Sequence, residues 1–209
     1  MKKNILFDFD GTLANTLEAA GKILNNLSSK YGYKRLTEEE MLLLKEHSMR
    51  EMLREMQISL FKLPFTIKDV KEGLSQEMKA VEAFSVIPEL LLALKKKDYS
   101  LGIVTSNSRK NVDIFLKSNN ITSFDFIISN AGLFGKSLVL RKFLKQRHMP
   151  NEQVIYIGDE VRDIEAARKA NIQVIAVSWG INSVERLKLA EPDFLVQNTD
   201  EILKVLVEL

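Results

Sequence analysis

In the stretch ILFDFDGTLANT, Asp8 and Asp10 stand two residues apart at the end of an apolar run, followed at once by Gly11 and Thr12. Alternation along a strand puts such a pair on one face while the strand lasts, and Gly11 marks its end. Two carboxylates side by side cost free energy unless a cation, a proton or dedicated hydrogen bonds compensate. Three later stretches end in polar groups in the same way. GIVTSNS ends in Thr105, Ser106 and Asn107, the short loop NAGLFGK ends in Lys136, and VIYIGDEVRD carries Asp159, Glu160 and Asp163. Carboxylates suit a hard cation, while a lysine and a hydroxyl suit phosphate oxygens. Gathered on one rim, the set matches magnesium-assisted phosphoryl transfer.

Such a rim needs strands that end together. Residues 4–9 are a short apolar run with aromatic content and read as a buried strand, whereas residues of about 16–84 contain no strand pattern and read as helical throughout. Leu17, Ala20, Ile23, Leu24 and Leu27 recur at helical spacing. TEEE from Thr37 is a capping box that opens a second helix through Met41 and Leu44. Thr66 with Asp69 opens a third, through Val70, Leu74, Met78 and Val81, with Pro64 separating the two. From Pro88 onward helices and apolar strands alternate: PELLLALKKK, SLGIVTS, RKNVDIFLKSN, FDFIIS, SLVLRKFLKQR, QVIYIGD, VRDIEAARKAN, QVIAVS, DFLVQ and TDEILKVLVEL. Strands that are apolar throughout, separated by helices, predict an α/β fold with a Rossmann-like, doubly wound parallel sheet. The helical block is then an insertion after the first strand. In such sheets ligands bind beyond the carboxyl ends of the strands, where the polar residues above fall.

Composition narrows the function classes. With 209 residues, 45% hydrophobic and 28% charged, the chain supports one sizeable core with a smaller lobe. Lys+Arg of 30 against Asp+Glu of 28 predicts no field for nucleic acid or an anionic membrane. Without cysteine there is no disulfide framework and no thiolate zinc site. No signal-peptide pattern follows MKKN and no apolar run has transmembrane length, so the expected location is cytoplasmic. Monomer and homodimer are both left open.

The ordered set DFDGTL, VTSN, a lone lysine and GDEVRD resembles the haloacid dehalogenase superfamily of phosphohydrolases. The likeness spans essentially the whole chain, the helical block matching that family's cap. GDEVRDIEAARKA and the WGINSVERL…PDFLV ending are most similar to its phosphoglycolate-phosphatase-like branch. The resemblance implies a core of residues 1–14 and 86–209, a cap of 15–85, and Mg2+-dependent hydrolysis of a small metabolite's phosphomonoester, phosphoglycolate-like or a sugar phosphate, through an aspartyl-phosphate. It implies Asp8 as nucleophile and Asp10 as general acid, then base. Mg2+ would be held by Asp8, the backbone carbonyl of Asp10 and Asp159, with Glu160 or Asp163 acting through water or from behind the ligands. Ser106 and Asn107, with Thr105 as the alternative hydroxyl, and Lys136 would bind phosphoryl oxygens, Lys136 also pairing with Asp8. Arg50 stands at the position of the family's cap arginine and would hold a distal anionic group.

Plainer roles compete with each assignment. An Asp-Gly turn accounts for Asp8 and Asp10, helix capping for Asp159, Asp163 and Ser106, and a solvated helix face with Glu46 as ion-pair partner for Arg50. Met41, Met49, Met52, Met56 and Met78 fit helix packing. His47 and His148 lack metal-ligand spacing to another histidine. The chain departs from the family pattern at Asn15, commonly aspartate, at His47 and Ser48, where a glycine commonly precedes the arginine, and at GKSLVL, which lacks the usual Lys-Pro. These positions bear on cap hinge and specificity. Two rivals share the fold: a hexose phosphomutase, which needs more polar cap contacts than Arg50 alone, and a catalytically silent binding or regulatory protein, against which the clustered acids argue.

Overall fold

Six strands, β1 (Asn4–Phe7), β2 (Ser100–Val104), β3 (Phe126–Ile128), β4 (Val154–Gly158), β5 (Gln173–Val177) and β6 (Phe194–Val196), form one sheet in the order β3-β2-β1-β4-β5-β6. Every pairing is parallel, with Asn4 opposite both Ser100 and Val154. Chain order reverses between β1 and β4, so the crevice for a ligand opens at their carboxyl ends. The computed structural model describes residues 3–47, 49–132 and 135–209. Ser48, Leu133 and Phe134 lie outside the described residues, as do the side chains of Leu42 and Met49.

The two-residue period of the strands sorts the core into two layers. Ile5, Phe7, Ile103, Ile155, Ile157, Ile175 and Val177 meet α5 (Ile87–Lys96), α6 (Arg109–Ser118) and α10 (Thr199–Glu208). Leu6, Val104, Tyr156, Val174 and Ala176 meet α7 (Lys136–Arg147), α8 (Val161–Ala170) and α9 (Val184–Leu189). Both faces are therefore covered, which is why the strands carry no polar alternation. Asp8 continues the β1 ladder, its amide donating to Ile157 O at 2.8 Å. By alternation it belongs to the layer of Leu6 and Tyr156, under the first turns of α7 and α8.

Between β1 and β2 the described residues form helices and no strand: α1 (Leu17–Tyr31), α2 (Glu38–Leu43), a 3-10 turn (Leu44–Glu46), α3 (Met49–Glu55) and α4 (Leu63–Glu77). The Thr37 capping box is present, Thr37 Oγ1 accepting from the Glu40 amide and Glu40 accepting from the Thr37 amide. Sequence reasoning put the start of the last helix at Thr66. It starts at Leu63 with Pro64 in the first turn, where a missing N–H costs nothing, and the Thr66 hydroxyl donates to Lys62 O instead of capping. The second helix, expected to run onward from Leu44, is broken into α2, the 3-10 turn and α3, and α9 escaped notice, being too short for a periodic signal. Tyr33, Leu36, Leu53, Met56 and Ile58 form a small separate cluster, against which Met41 and Met52 pack. Met41, Met52 and Met56 serve packing there and Met78 in the main core, as expected, while the side chain of Met49 lies outside the described residues. The two chain crossings hydrogen-bond to each other: Ala14 pairs antiparallel with Ala83, Asn15 N donates to Glu82 O, and Phe84 N to Leu13 O. Among the described residues no helix is long and apolar enough to cross a membrane.

Candidate active site

At the crevice between β1 and β4, ligand atoms of Asp8, Asp159 and Asp163 lie within 4.8 Å of one another, and all three residues are buried. Each arrives there for a local reason. Asp8 ends the β1 ladder, Asp159 follows Gly158 at the end of β4, and Asp163 stands in the first turn of α8. Asp163 Oδ2 accepts from the Glu160 amide, one half of a capping box with Glu160. Asp159 is gripped from two loops: Oδ1 accepts from Thr12 Oγ1 at 2.5 Å and Oδ2 from the Ile181 amide at 2.7 Å. Those loops approach so closely that a Cβ on Gly11 or Gly180 would sit 2.2 Å from Asp159 Oδ2. Gly11 also has φ +79°, which no other residue adopts cheaply.

Lys136 neutralises part of this charge. It is the first residue of α7, not a loop residue as the sequence suggested, and its Nζ lies 2.6 Å from Asp8 and 2.5 Å from Asp163. The Tyr156 ring lies under the ammonium at 5.7 Å, and its hydroxyl donates to Val104 O at 3.1 Å. Burial pushes the Asp8 carboxyl up to about 8, Lys136 pulling it down and Asp163 pushing it up. Burial raises Asp159 as well, with Glu160 and Asp8 adding to the effect. For Lys136 burial acts downward, but Asp163 and Asp8 outweigh it and hold it firmly protonated. One lysine against three buried carboxyl groups leaves a pocket of hard oxygen donors whose full ionisation calls for a further cation. That donor set fits a divalent cation, since each carboxylate oxygen keeps a lone pair beyond its present partner.

Asp10 stands apart from the three. Asn107 Nδ2 donates to both of its oxygens at 3.0 and 3.1 Å, and Thr16 donates as well. Burial raises its affinity for a proton, and those hydrogen bonds offset part of the rise. Asn107 is itself fixed, its Oδ1 accepting from Ser108 N and Asn111 Nδ2. Sequence reasoning put Asn107 among the phosphate-binding groups; in the structure its amide nitrogen holds Asp10 and its amide oxygen is taken by Ser108 and Asn111. Thr105 is fully buried and accepts from the Asn107 amide, whereas Ser106 keeps exposure at the rim. Glu160 is bound by Arg162, with Nε at 2.8 Å and Nη2 at 2.5 Å, so its carboxylate faces a cation of its own.

Arg50 is exposed on α3 and makes no hydrogen bond or ion pair with the described residues. Its expected helix-face partner, Glu46, is taken by Ser183 Oγ at 2.7 Å. Thr12, Thr16, Tyr156 and Asn182 were not singled out from the sequence. Only Tyr156 left a trace there, as the one hydroxyl inside an apolar strand. A cavity of about 500 Å³ lined by Asn151, Arg168, Gln173 and Asp193 lies at the amino ends of β4 and β5 and contains none of these acids.

The same arrangement links the chain to known proteins. It is 31% identical over 206 residues to the phosphoglycolate phosphatase of Synechococcus elongatus, covering 98% of this chain and 97% of the relative. It is 28% identical to the pyrophosphatase PpaX of Bacillus cereus strain Q1, covering 100% and 99%. Among solved structures, a haloacid dehalogenase-like hydrolase from Streptococcus pneumoniae superposes with a TM-score of 0.82 at 21% identity over 98% of both chains. A protein from Clostridium acetobutylicum, described as a predicted phosphatase, reaches 0.84 at 24% over 100% of both. The family model described as haloacid dehalogenase-like hydrolase matches residues 5–177, from the first strand to the end of β5. By this match and by the full-length relative, the chain is an enzyme belonging to the haloacid dehalogenase-like hydrolase family.

Proposed function

We propose that the chain is a Mg2+-dependent phosphatase that hydrolyses the phosphomonoester of a small metabolite through a phosphoryl group carried on Asp8. The supporting observation is one buried lysine, Lys136, spanning Asp8 and Asp163 beside Asp159, while Asp10 is held separately by Asn107 and Thr16. Two carboxylates in different surroundings can do two jobs. Mg2+ on Asp8, Asp159 and the Asp10 carbonyl would keep Asp8 ionised and stabilise charge on the phosphoryl oxygens. Asp8 attacks phosphorus in line, the bond from phosphorus to the leaving oxygen breaks, and Asp10 gives that oxygen its proton. Asp10, now a carboxylate, takes a proton from the water that attacks phosphorus. The phosphorus–Asp8 bond then breaks and inorganic phosphate leaves. Lys136 holds Asp8 in place and, with Ser106, faces the phosphoryl oxygens, while Asp163 fixes Lys136.

Residues 15–85 are the cap of this reading, hinged at the paired crossings and closing over residues 1–14 and 86–209. The relatives named phosphoglycolate phosphatase and pyrophosphatase point to a small substrate with a second anionic group. Such metabolites are met in the cytoplasm, and the balanced charge favours neither nucleic acid nor membrane. The test is phosphate release across phosphoglycolate, sugar phosphates, nucleotides and pyrophosphate with Mg2+. Release concentrated on one small anionic ester is the expected result; interconversion of sugar phosphates without release would mark a phosphomutase, and no turnover a silent protein.

Metal binding has a signature in stability. The folded Asp8 carboxyl titrates at about 8 against an unfolded value of 3.8, so between those values the native state binds more protons than the unfolded chain. Its contribution to stability is complete below the unfolded value and is lost as pH rises toward 8. A bound cation restores it. At ~100 times its dissociation constant Mg2+ adds about 2.7 kcal/mol. Thermal unfolding should show a larger Mg2+-induced rise in Tm at pH 8 than at pH 5; equal rises would remove the carboxylates from the metal site.

Arg50 is free to take the second anionic group, because guanidinium binds carboxylate or phosphate bidentately. Arg50→Ala should lower kcat/KM on the preferred anionic substrate by ~10-fold or more while sparing an aryl phosphate. Equal losses on both substrates would place Arg50 outside substrate recognition.

A further inference from the structure

The loop after β5 joins two things that the mechanism treats separately, the carboxylate of Asp159 and the cap. On one side, the Ile181 amide holds Asp159 Oδ2, and the Asn182 amide donates to the Asp159 carbonyl at 3.3 Å. Trp179 Nε1 donates to Thr12 O at 3.2 Å, and Thr12 in turn holds Asp159 Oδ1. On the other side, Asn182 Nδ2 donates to the cap carbonyls of Lys45 at 3.3 Å and His47 at 3.5 Å. The Ser183 amide donates to the same Lys45 carbonyl at 3.1 Å, and Ser183 Oγ to Glu46. Arg186 reaches Glu51 of α3 at 3.4 Å.

Asn182 is the residue that faces both ways. It is 5% exposed, and its Oδ1 accepts from the Val161 amide, the first N–H of α8, at 2.9 Å. A donor at Val161 and acceptors in the cap fix which end of the amide points where. Only a side chain with both an acceptor and an N–H2 group serves the two partners at once; Asp supplies the acceptor alone and Ala neither.

We infer that Asn182 is a positioning residue that clamps the Leu44–His47 turn of the cap onto the loop holding Asp159: its side chain ties the cap to the start of α8, while its backbone amide is bound to the Asp159 carbonyl. The turn leads directly into α3, so its seating also places Arg50. The hinge at Ala14 and Ala83 holds one edge of the helical block, and Lys71 Nζ donating to Ser106 O at 2.6 Å joins α4 to the rim. Asn182 supplies a further attachment, beside the Asp159 loop. The catalytic consequence rests on the phosphatase reading above; the seating of the turn does not.

The test pairs Asn182→Asp with Asn182→Ala and reads backbone hydrogen exchange in the full chain. Asn182→Asp keeps the acceptor for Val161 and loses the donor to the cap, placing a charge against two carbonyls. Residues 44–47 should exchange on the order of 10-fold faster in both variants, while the first turn of α8 loosens only in Asn182→Ala. With the substrate that the wild type prefers, Asn182→Asp should raise KM more than it lowers kcat, as expected when the ground-state seating of the cap is lost. Glu46→Ala, which removes the neighbouring Ser183 contact from the cap side, should speed exchange in the same turn to a smaller extent and leave α8 alone. Wild-type exchange at 44–47 in Asn182→Asp would overturn the clamp. So would a uniform rise that includes β4 and β5, because that is loss of stability in general. Faster exchange confined to the turn in a chain that hydrolyses no phosphate ester would uphold the clamp and overturn the phosphatase reading instead.

Discussion

Replacing Asp8 by Asn should reduce turnover by ~10⁴-fold or more, the loss expected when a covalent nucleophile is removed from a site whose other groups stay in place. The amide has nearly the same shape and still offers an oxygen to Lys136, which keeps its second partner, Asp163, at 2.5 Å. The fold should therefore survive. In the metal-free state it should even gain stability near neutral pH, because burial makes the Asp8 charge costly and the amide carries none. Steady-state hydrolysis of an aryl phosphate and thermal unfolding in EDTA measure the two effects together. Wild-type turnover would dismiss Asp8 as nucleophile, and a collapsed Tm would show that the ion pair with Lys136 serves the fold first.

Asp10→Asn should cost on the order of 10²-fold or more with little change in metal affinity, since the exchangeable proton goes while the backbone carbonyl stays. Asn107 holds both oxygens of Asp10 and would keep an amide there in the same place. Asp159→Ala reverses the pattern. Both oxygens of Asp159 are oriented by Thr12 and Ile181 toward the buried carboxylate cluster, so weak metal binding should be the primary defect, with activity returning at high Mg2+. Titration of Mg2+ against the fluorescence of Trp179, the single tryptophan of the chain, offers the readout, because its indole donates to Thr12 in the metal-site loop. A large loss of Mg2+ affinity in Asp10→Asn would make that side chain a ligand.

Asp8 and Asp159 were legible in the sequence because each directly follows an apolar run, and Asp163 because it stands one helical turn after Asp159; the end of a parallel strand is where a short pattern carries topological meaning. Asp8 and Asp159 meet at the ends of adjacent strands and Asp163 joins them from the first turn of α8, and the alternation that puts Leu6 and Tyr156 on one face also puts Asp8 beneath α7 and α8. Lys136 could be assigned only through its order among the motifs. Nothing local distinguishes a buried lysine at the first turn of a helix from a solvated one. The division of labour between Asp10 and Asn107 was hidden, as it depends on which oxygens an amide 97 positions away can reach. The role of Asn182 was not legible. Its partners come from the loop after β4, from α8 and from the cap, three segments that only the sheet order brings together, and WGINSVERL marked a family branch without marking the role of Asn182.

The central claim is that the phosphoryl group passes through Asp8. Acid quenching of the wild-type enzyme during turnover, followed by peptide mass mapping, tests it most directly, because an acyl phosphate withstands brief acid and adds the mass of one phosphoryl group to the peptide that bears it. The predicted result is that mass on the segment from Asn4 to Lys22, localised to Asp8 and lost on dilution into Mg2+ buffer at the rate of phosphate release. Phosphate released steadily with no phosphorylated peptide at any quench time, or with the phosphoryl group on another residue, would contradict the account.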